Sequence, residues 1–166
     1  MLEYLFPNSY LRAISINKMS YSARIIADWF LARGAEEGEY FTQMKLQKLV
    51  YIAHGWTLAL ADKPLINEKI EAWQWGPVIR ELYVDFVNYG ASPIYLVPDK
   101  PPLLPDDSDL LEEVWGVYKI FTAGELSAMT HAPNTPWSDT YTPNQKRTIR
   151  QSLIKQHYLE LKASNA

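Results

Sequence analysis

The 166-residue sequence contains no cysteine. Disulfide bonds and thiolate metal sites are therefore excluded, and a reducing cytoplasm is the expected location. Charged residues or prolines interrupt every apolar run before it reaches about 18 residues, the length of a membrane-spanning helix. The N-terminus lacks the basic start and apolar stretch of a signal peptide. We expect no association with a membrane.

An excess of basic charge is also missing. The chain has 16 Lys and Arg against 19 Asp and Glu, so its formal net charge is −3. A general nucleic-acid binder normally carries a basic patch or has a high pI, so nucleic acid is not the expected partner.

Motifs of the common catalytic and cofactor sites are absent as well. The sequence has no P-loop, dinucleotide-binding glycine loop, nucleophile elbow or zinc-protease helix. Its three histidines, His54, His131 and His157, do not lie at ligand spacing from one another. We therefore expect no metal, no cofactor and no catalytic residues.

What remains is a sequence typical of one globular domain. It is 48% hydrophobic and 13% aromatic, which provides ample material for a core. We place the domain at residues 19–166, because a second possible start, Met19, lies just ahead of the first strong helical pattern. Residues 1–18 are then either an extension from an early start codon or a native segment that packs through aromatic side chains such as Tyr4 and Phe6.

The strongest helical pattern begins after Thr42, a favourable N-cap residue. Apolar residues recur from it at helical spacing for about five turns, with Lys45 and Lys48 outside the apolar face. Gly55 interrupts this pattern without ending it, which predicts a close contact with another helix. Further helices are predicted after the capping boxes that begin at Thr122 and Thr142.

Two tryptophans stand against a Gly-Pro break in the segment 71–78, EAWQWGPV. Within residues 66–75 two sets of side chains alternate, one at positions 70, 72 and 74 and the other at 71, 73 and 75, and this alternation predicts a short strand. Pro77 fits the first position of a following helix. The proline-rich connector 91–106 could contribute an edge strand at residues 93–97 that pairs with residues 69–75. The predicted fold is mainly α: a compact bundle of five to seven helices with a small two- or three-stranded β element.

Two polar groups near the C-terminus have a structural and a functional interpretation. His131 ends a predicted helix, where it can bond the last free carbonyl groups; as a general base it would act with Ser127, Thr130 or Glu125. We favour the structural role, because no nucleophile, orienting carboxylate and oxyanion donor can be named together. The cluster of Lys146, Arg147 and Arg150 is either a solvated face or a contact for an acidic partner.

Several segments, taken in order, resemble one family. They are residues 44–51 (MKLQKLVY), 70–78 (IEAWQWGPV), 81–83 (ELY), 126–131 (LSAMTH) and 136–137 (PW). Together they are similar to the Panacea domain, known from phage-associated GepA-like and SocA-like proteins. The resemblance implies an antitoxin that neutralises a neighbouring toxin by direct binding, and it implies no catalytic centre. A SocA-like branch is described as a protease adaptor, so a cytoplasmic protease is a further implied partner.

Tryptophan is enriched at binding hot spots, so the aromatic Gly-Pro segment and its C-terminal companions are the expected contacts with a partner. The expected partner-binding residues are Trp73, Trp75, Gly76, Pro77, Thr130, His131, Trp137, Lys146, Arg147 and Arg150. One of the two tryptophans should pack the domain together while the other faces outward. The alternative functions are a regulator that binds nucleic acid through the basic cluster and a hydrolase centred on His131.

Overall fold

A computed structural model describes residues 19–165 of the chain. Within these residues seven α-helices, one short 3-10 helix and one three-stranded antiparallel sheet occur. In chain order they are α1 (Ala23–Glu36), α2 (Gln43–Ala61), β1 (Ile70–Trp73), β2 (Gly76–Ile79), α3 (Arg80–Phe86), the 3-10 helix (Val87–Tyr89), α4 (Pro105–Tyr118), α5 (Ala123–Thr130), α6 (Pro136–Thr140), β3 (Arg147–Thr148) and α7 (Gln151–Ser164). The mainly α fold with a small β element is confirmed, whereas both interpretations of residues 1–18 lie outside the described residues.

Helix α2 forms the centre of the domain. It contacts α1, α3, α4, α5, α7 and β2, and every residue from 46 to 58 is buried. The Thr42 hydroxyl accepts the backbone N–H of Lys45, as the N-cap prediction required. Lys48, predicted to lie outside the apolar face of this helix, is nevertheless buried. Because other elements surround the helix, part of its polar side is buried together with its apolar stripe.

Gly55 marks the contact between α2 and α7. A Cβ atom at this position would lie 2.1 Å from Cε2 of Tyr158, and the Tyr158 ring packs edge-on against Trp56. Only a glycine lets the two helices approach this closely. The predicted close helix contact is thus confirmed.

The sheet differs from the predicted one in its members. β1 pairs with β2 through a two-residue turn, Gln74-Trp75, and its other edge pairs with β3. The predicted strand at residues 93–97 is wrong: Pro93 makes an isolated bridge to Thr42, and Ile94 donates its N–H to the backbone oxygen of Phe41. Since β1 already has a partner on each edge, it has no edge left for the connector to pair with.

Two predicted helix starts are also wrong. Pro77 lies in β2, an edge strand, where its missing N–H is tolerated, and α3 begins only at Arg80. The last helix begins at Gln151 rather than after Thr142. Thr142 instead bridges Gln145 across a turn in which Asn144 has a φ of +61°, a left-handed conformation that a right-handed helix cannot contain. The box formed by Thr122 and Glu125, by contrast, caps α5 as predicted.

His54 is a buried structural residue whose ring connects α2 to the loop that follows it. Its Nδ1 accepts the backbone N–H groups of Leu65 and Ile66, both at 3.3 Å. Burial lowers the pKa of His54 from 6.5 to about 4, because a protonated ring would lose hydration and could no longer accept these bonds.

The free energy of unfolding should therefore fall as the pH drops from 6.5 towards 4. In that window His54 is protonated in the unfolded chain but not in the folded protein. The contribution of His54 to the free energy of unfolding is therefore fully present above pH 6.5, and about 3 kcal/mol of it is lost near pH 4. A His54→Asn variant keeps an acceptor at the Nδ1 position but does not titrate. Denaturant unfolding across this range should show a steeper pH dependence for wild type than for the variant; parallel curves would refute the role of His54.

No helix within residues 19–165 is both long enough and apolar enough to cross a membrane.

Candidate functional site

The two motif segments that are distant in sequence meet at the β1–β2 turn. Trp137, in α6, donates its indole N–H to the backbone oxygen of Trp73 at 2.6 Å. The Ser127 hydroxyl, in α5, donates to the backbone oxygen of Trp75 at 2.9 Å. Two C-terminal helices thus fix both ends of the turn through its own carbonyl groups, each bond contributing about 1 kcal/mol.

Helix α2 fixes the strand that follows the turn. The side-chain amide of Gln47 donates to the backbone oxygen of Ile79 and accepts its N–H, both at 2.9 Å. Lys48 donates from Nζ to the backbone oxygen of Pro77, also at 2.9 Å. Together the two side chains satisfy the outer edge of β2 in the way that a neighbouring strand would, so this edge is not open to a further strand.

Gly76 allows the turn to lie this close to α2 and α5. Its φ of +104° is a conformation that residues with a side chain rarely adopt. A Cβ atom there would lie 2.9 Å from Nζ of Lys48 and 3.4 Å from the hydroxyl oxygen of Thr130. Thr130 is itself buried and donates back to the Leu126 carbonyl at 2.9 Å. The close packing of the turn on α2 and α5 therefore requires glycine at position 76, with Thr130 as one of its neighbours.

The two tryptophans of the turn face different surroundings. Trp73 is half-buried, with its ring 5.0 Å from that of Tyr83 and the Lys146 ammonium 3.9 Å from its centre. Its indole N–H donates to the Glu71 carboxylate at 2.7 Å. Trp75, at the tip of the turn, is 61% exposed. Trp73 thus packs on the domain, and Trp75 is the tryptophan that points outward.

An open cleft of about 720 Å³ lies beside the turn. Six large apolar or aromatic residues line it: Met44, Trp73, Trp75, Val78, Tyr83 and Tyr141. Lys48 and Lys146 also line it, and among residues 19–165 no carboxylate does. Lys48 is only 2% exposed, and burial lowers its pKa from 10.5 to about 7. The cleft thus combines apolar side chains with two basic ones, and both of these are lysines.

His131 occupies the C-cap position of α5. Its Nδ1 lies against the backbone oxygen of Ser127, and its ring meets the Trp137 ring edge-on at 5.3 Å. The Ser127 hydroxyl is 3.4 Å from Nδ1, but it donates to Trp75 instead. The hydroxyl groups of Ser127 and Thr130 thus both make structural hydrogen bonds, which favours the structural interpretation of His131. Residues 19–165 contain no cluster of three His, Cys, Asp or Glu side chains suited to a metal ion.

The expected site residues divide into three groups. Trp73, Trp75 and Lys146 line the cleft. Five others do not line the cleft: Gly76 and Pro77 begin β2, Thr130 lies close to Gly76, Trp137 donates to Trp73, and His131 contacts Ser127 and Trp137. Arg147 and Arg150 are exposed outside the cleft lining: Arg147 lies in β3, and Arg150 is the N-cap residue of α7.

Sequence patterns do not identify several residues of the site. The helical pattern places Lys48 on the polar side of an amphipathic helix. Met44, Gln47 and Tyr83 belong to longer motif segments, and nothing in the pattern marks them individually as site residues. A useful signal is present in α2: two long polar side chains, Gln47 and Lys48, stand next to each other in a stretch, residues 46–53, that is otherwise apolar. Such side chains need partners when the helix is central, and here the partners are backbone groups of β2.

Comparison with known proteins finds one family across most of these elements. Residues 46–138 match the family described as antitoxin SocA-like, Panacea domain. The chain is also 32% identical over 130 residues to the antitoxin SocA of Caulobacter vibrioides (strain NA1000 / CB15N), which covers 71% of this chain and 69% of that protein. No solved structure matches the chain significantly. The family match contains the turn and the side chains that fix it, from Gln47 to Trp137, but not the basic cluster at residues 146–150.

Proposed function

Because this chain belongs to the SocA-like antitoxin family with a Panacea domain, we propose that it is the antitoxin of a toxin–antitoxin system. In this proposal it acts in the cytoplasm and neutralises a small toxin, encoded beside its own gene, by binding it directly. The antitoxin of Caulobacter vibrioides supports the role. The toxin contact is proposed to be the turn that carries Trp75, together with the neighbouring cleft.

The exposed tryptophan on a fixed turn is the observation that carries this proposal. Most of the Trp75 side chain lies in solvent. Ser127 donates a hydrogen bond to the backbone oxygen of Trp75, and Trp137 donates one to the backbone oxygen of Trp73. Contact of a large aromatic side chain with water is unfavourable, so its burial by a partner would be favourable. Because the backbone is already ordered, binding would cost little conformational entropy. Both features are typical of a binding hot spot.

Co-expression with the neighbouring small open reading frame tests the proposal. The toxin alone should stop growth, and co-expression of this chain should restore growth and yield a complex that co-purifies. A harmless neighbour, or restored growth without a complex, would contradict direct neutralisation. Measuring the half-life of the toxin in the same cells separates two modes: a shortened half-life supports delivery to a protease, and an unchanged one supports neutralisation by binding alone.

The hydrolase alternative makes a different prediction for His131. A His131→Ala variant should lose about 1 kcal/mol of unfolding free energy, because it removes the contacts of the ring with the end of α5 and with Trp137. Growth rescue at matched protein levels should stay close to wild type, since the protein remains folded and the turn keeps its two hydrogen bonds. Complete loss of rescue with unchanged unfolding free energy would instead favour a catalytic histidine.

A further inference from the structure

The charge of the cleft is one-sided. Two lysines and no carboxylate of residues 19–165 line it, although acidic residues outnumber basic ones in the whole chain, 19 to 16. Glu71, whose carboxylate holds the Trp73 indole, does not line the cleft. A cleft of this kind is electrostatically complementary to an acidic group of a partner.

Lys48 has capacity for a further acceptor. An ammonium group carries three N–H donors, and within the described residues the backbone oxygen of Pro77 is the one hydrogen-bond partner of Nζ. Among the described residues no carboxylate forms an ion pair with this group, and burial lowers its pKa to about 7. A carboxylate placed in the cleft would supply such an ion pair.

The exposed apolar and aromatic residues of the cleft favour an apolar neighbour for that carboxylate. Met44, Tyr83 and Trp75 line the cleft, and each keeps more than a third of its surface in solvent. Methionine adapts its shape readily, and tyrosine and tryptophan provide broad flat surfaces with few rotatable bonds. These side chains suit an aromatic or large aliphatic side chain of the occupant. Since Gln47 and Lys48 occupy the free edge of β2, recognition would proceed through side chains rather than strand addition.

On the basis of the proposed function, we infer that the cleft binds a short segment of the toxin in which an acidic side chain stands beside an aromatic or large aliphatic one. The carboxylate lies between Lys48 and Lys146. The apolar side chain lies against Met44, Tyr83 and Trp75. The antitoxin thus recognises a small chemical pattern, which different proteins can carry.

Selection of short random peptides displayed on phage tests the inference and does not require the toxin to be identified. Peptides retained by the full chain should combine Asp or Glu with an adjacent aromatic or leucine residue. The double variant Lys48→Met, Lys146→Gln should bind those peptides at least about tenfold more weakly. Lys162→Gln, a matched change of an exposed lysine outside the cleft lining, should leave their Kd unchanged. Selected peptides without acidic residues would overturn the inference.

A second pair of variants avoids any change in the buried lysine. Ala91 is exposed and lines the cleft, so a side chain added there should not disturb the core. Ala91→Glu should weaken binding of the selected acidic peptides severalfold relative to Ala91→Gln, because it introduces a like charge into the same cleft. Equal Kd values for the two variants would overturn the inference. If the toxin binds wild type and the double lysine variant equally, the inference fails and the proposed function stands; if wild type binds no toxin, the proposed function fails.

Discussion

Replacement of Gly55 by alanine is expected to lower the free energy of unfolding by about 3 kcal/mol. The new Cβ atom would lie 2.1 to 2.6 Å from three atoms of the Tyr158 ring. That ring is buried and packed against Trp56 and Tyr51, so it cannot move aside without displacing α7. Overpacking of this severity outweighs the gain of about 1 kcal/mol that alanine brings to a helix interior.

Gly116→Ala is the matched control for this effect. Gly116 lies inside α4, and a Cβ atom there would meet nothing within 4 Å. The same substitution should therefore raise the free energy of unfolding by up to about 1 kcal/mol. Denaturant unfolding of the three proteins measures both changes. A Gly55→Ala protein as stable as wild type would show that α2 and α7 do not pack as described.

Replacement of Trp75 by alanine is expected to weaken toxin binding at least about 30-fold, which corresponds to about 2 kcal/mol. The side chain is 61% exposed, so its removal takes little from the core. The turn keeps its hydrogen bonds from Ser127 and Trp137, because both end on backbone oxygens. The free energy of unfolding should therefore change by less than about 0.5 kcal/mol.

Ile120→Ala is the matched control for Trp75. Ile120 is 74% exposed and does not line the cleft, so its removal also deletes an exposed apolar side chain. Calorimetric titration of the toxin into each variant should give a wild-type Kd for Ile120→Ala. Equal weakening by both substitutions would indicate a nonspecific apolar effect, and an unchanged Kd for Trp75→Ala would exclude this turn as the main contact.

Local patterns in the sequence are sufficient to predict the helices whose ends are marked by their own residues. The Thr42 cap, the Thr122 box and the apolar stripe of α2 act within a few residues, and each forms as expected. Gly55 is also informative, because a glycine tolerated inside a strong helix indicates a close neighbour. The position of His131 at the end of α5 follows from the same local logic.

The errors arise where tertiary contacts override local preference. Pro77 suits a helix start, but Lys48 and Gln47 satisfy the edge of an extended strand at that point instead. Thr142 has the sequence of a capping residue, yet residues 142–145 form a turn and Arg147 and Thr148 then pair with β1, so the helix begins only at Gln151. The helical pattern alone likewise does not reveal the burial of Lys48, because that burial depends on which elements surround α2.

The candidate site can be predicted in outline but not in mechanism. Resemblance places Trp73, Trp75 and Trp137 in one signature, and the structure gives a physical reason for their association: Trp137 and Ser127 hold the carbonyl groups of the turn. One sequence cannot show that side chains more than 50 residues away determine the backbone of a turn. It also cannot show which tryptophan faces solvent, since both lie in the same short segment.

Growth rescue by variants at equal protein levels tests the central claim most directly. Cells that express the toxin should grow with wild type or Ile120→Ala and should fail to grow with Trp75→Ala, although all three proteins are folded and equally abundant. Full rescue by Trp75→Ala would contradict the account, because neutralisation would then not depend on the exposed tryptophan of the β1–β2 turn.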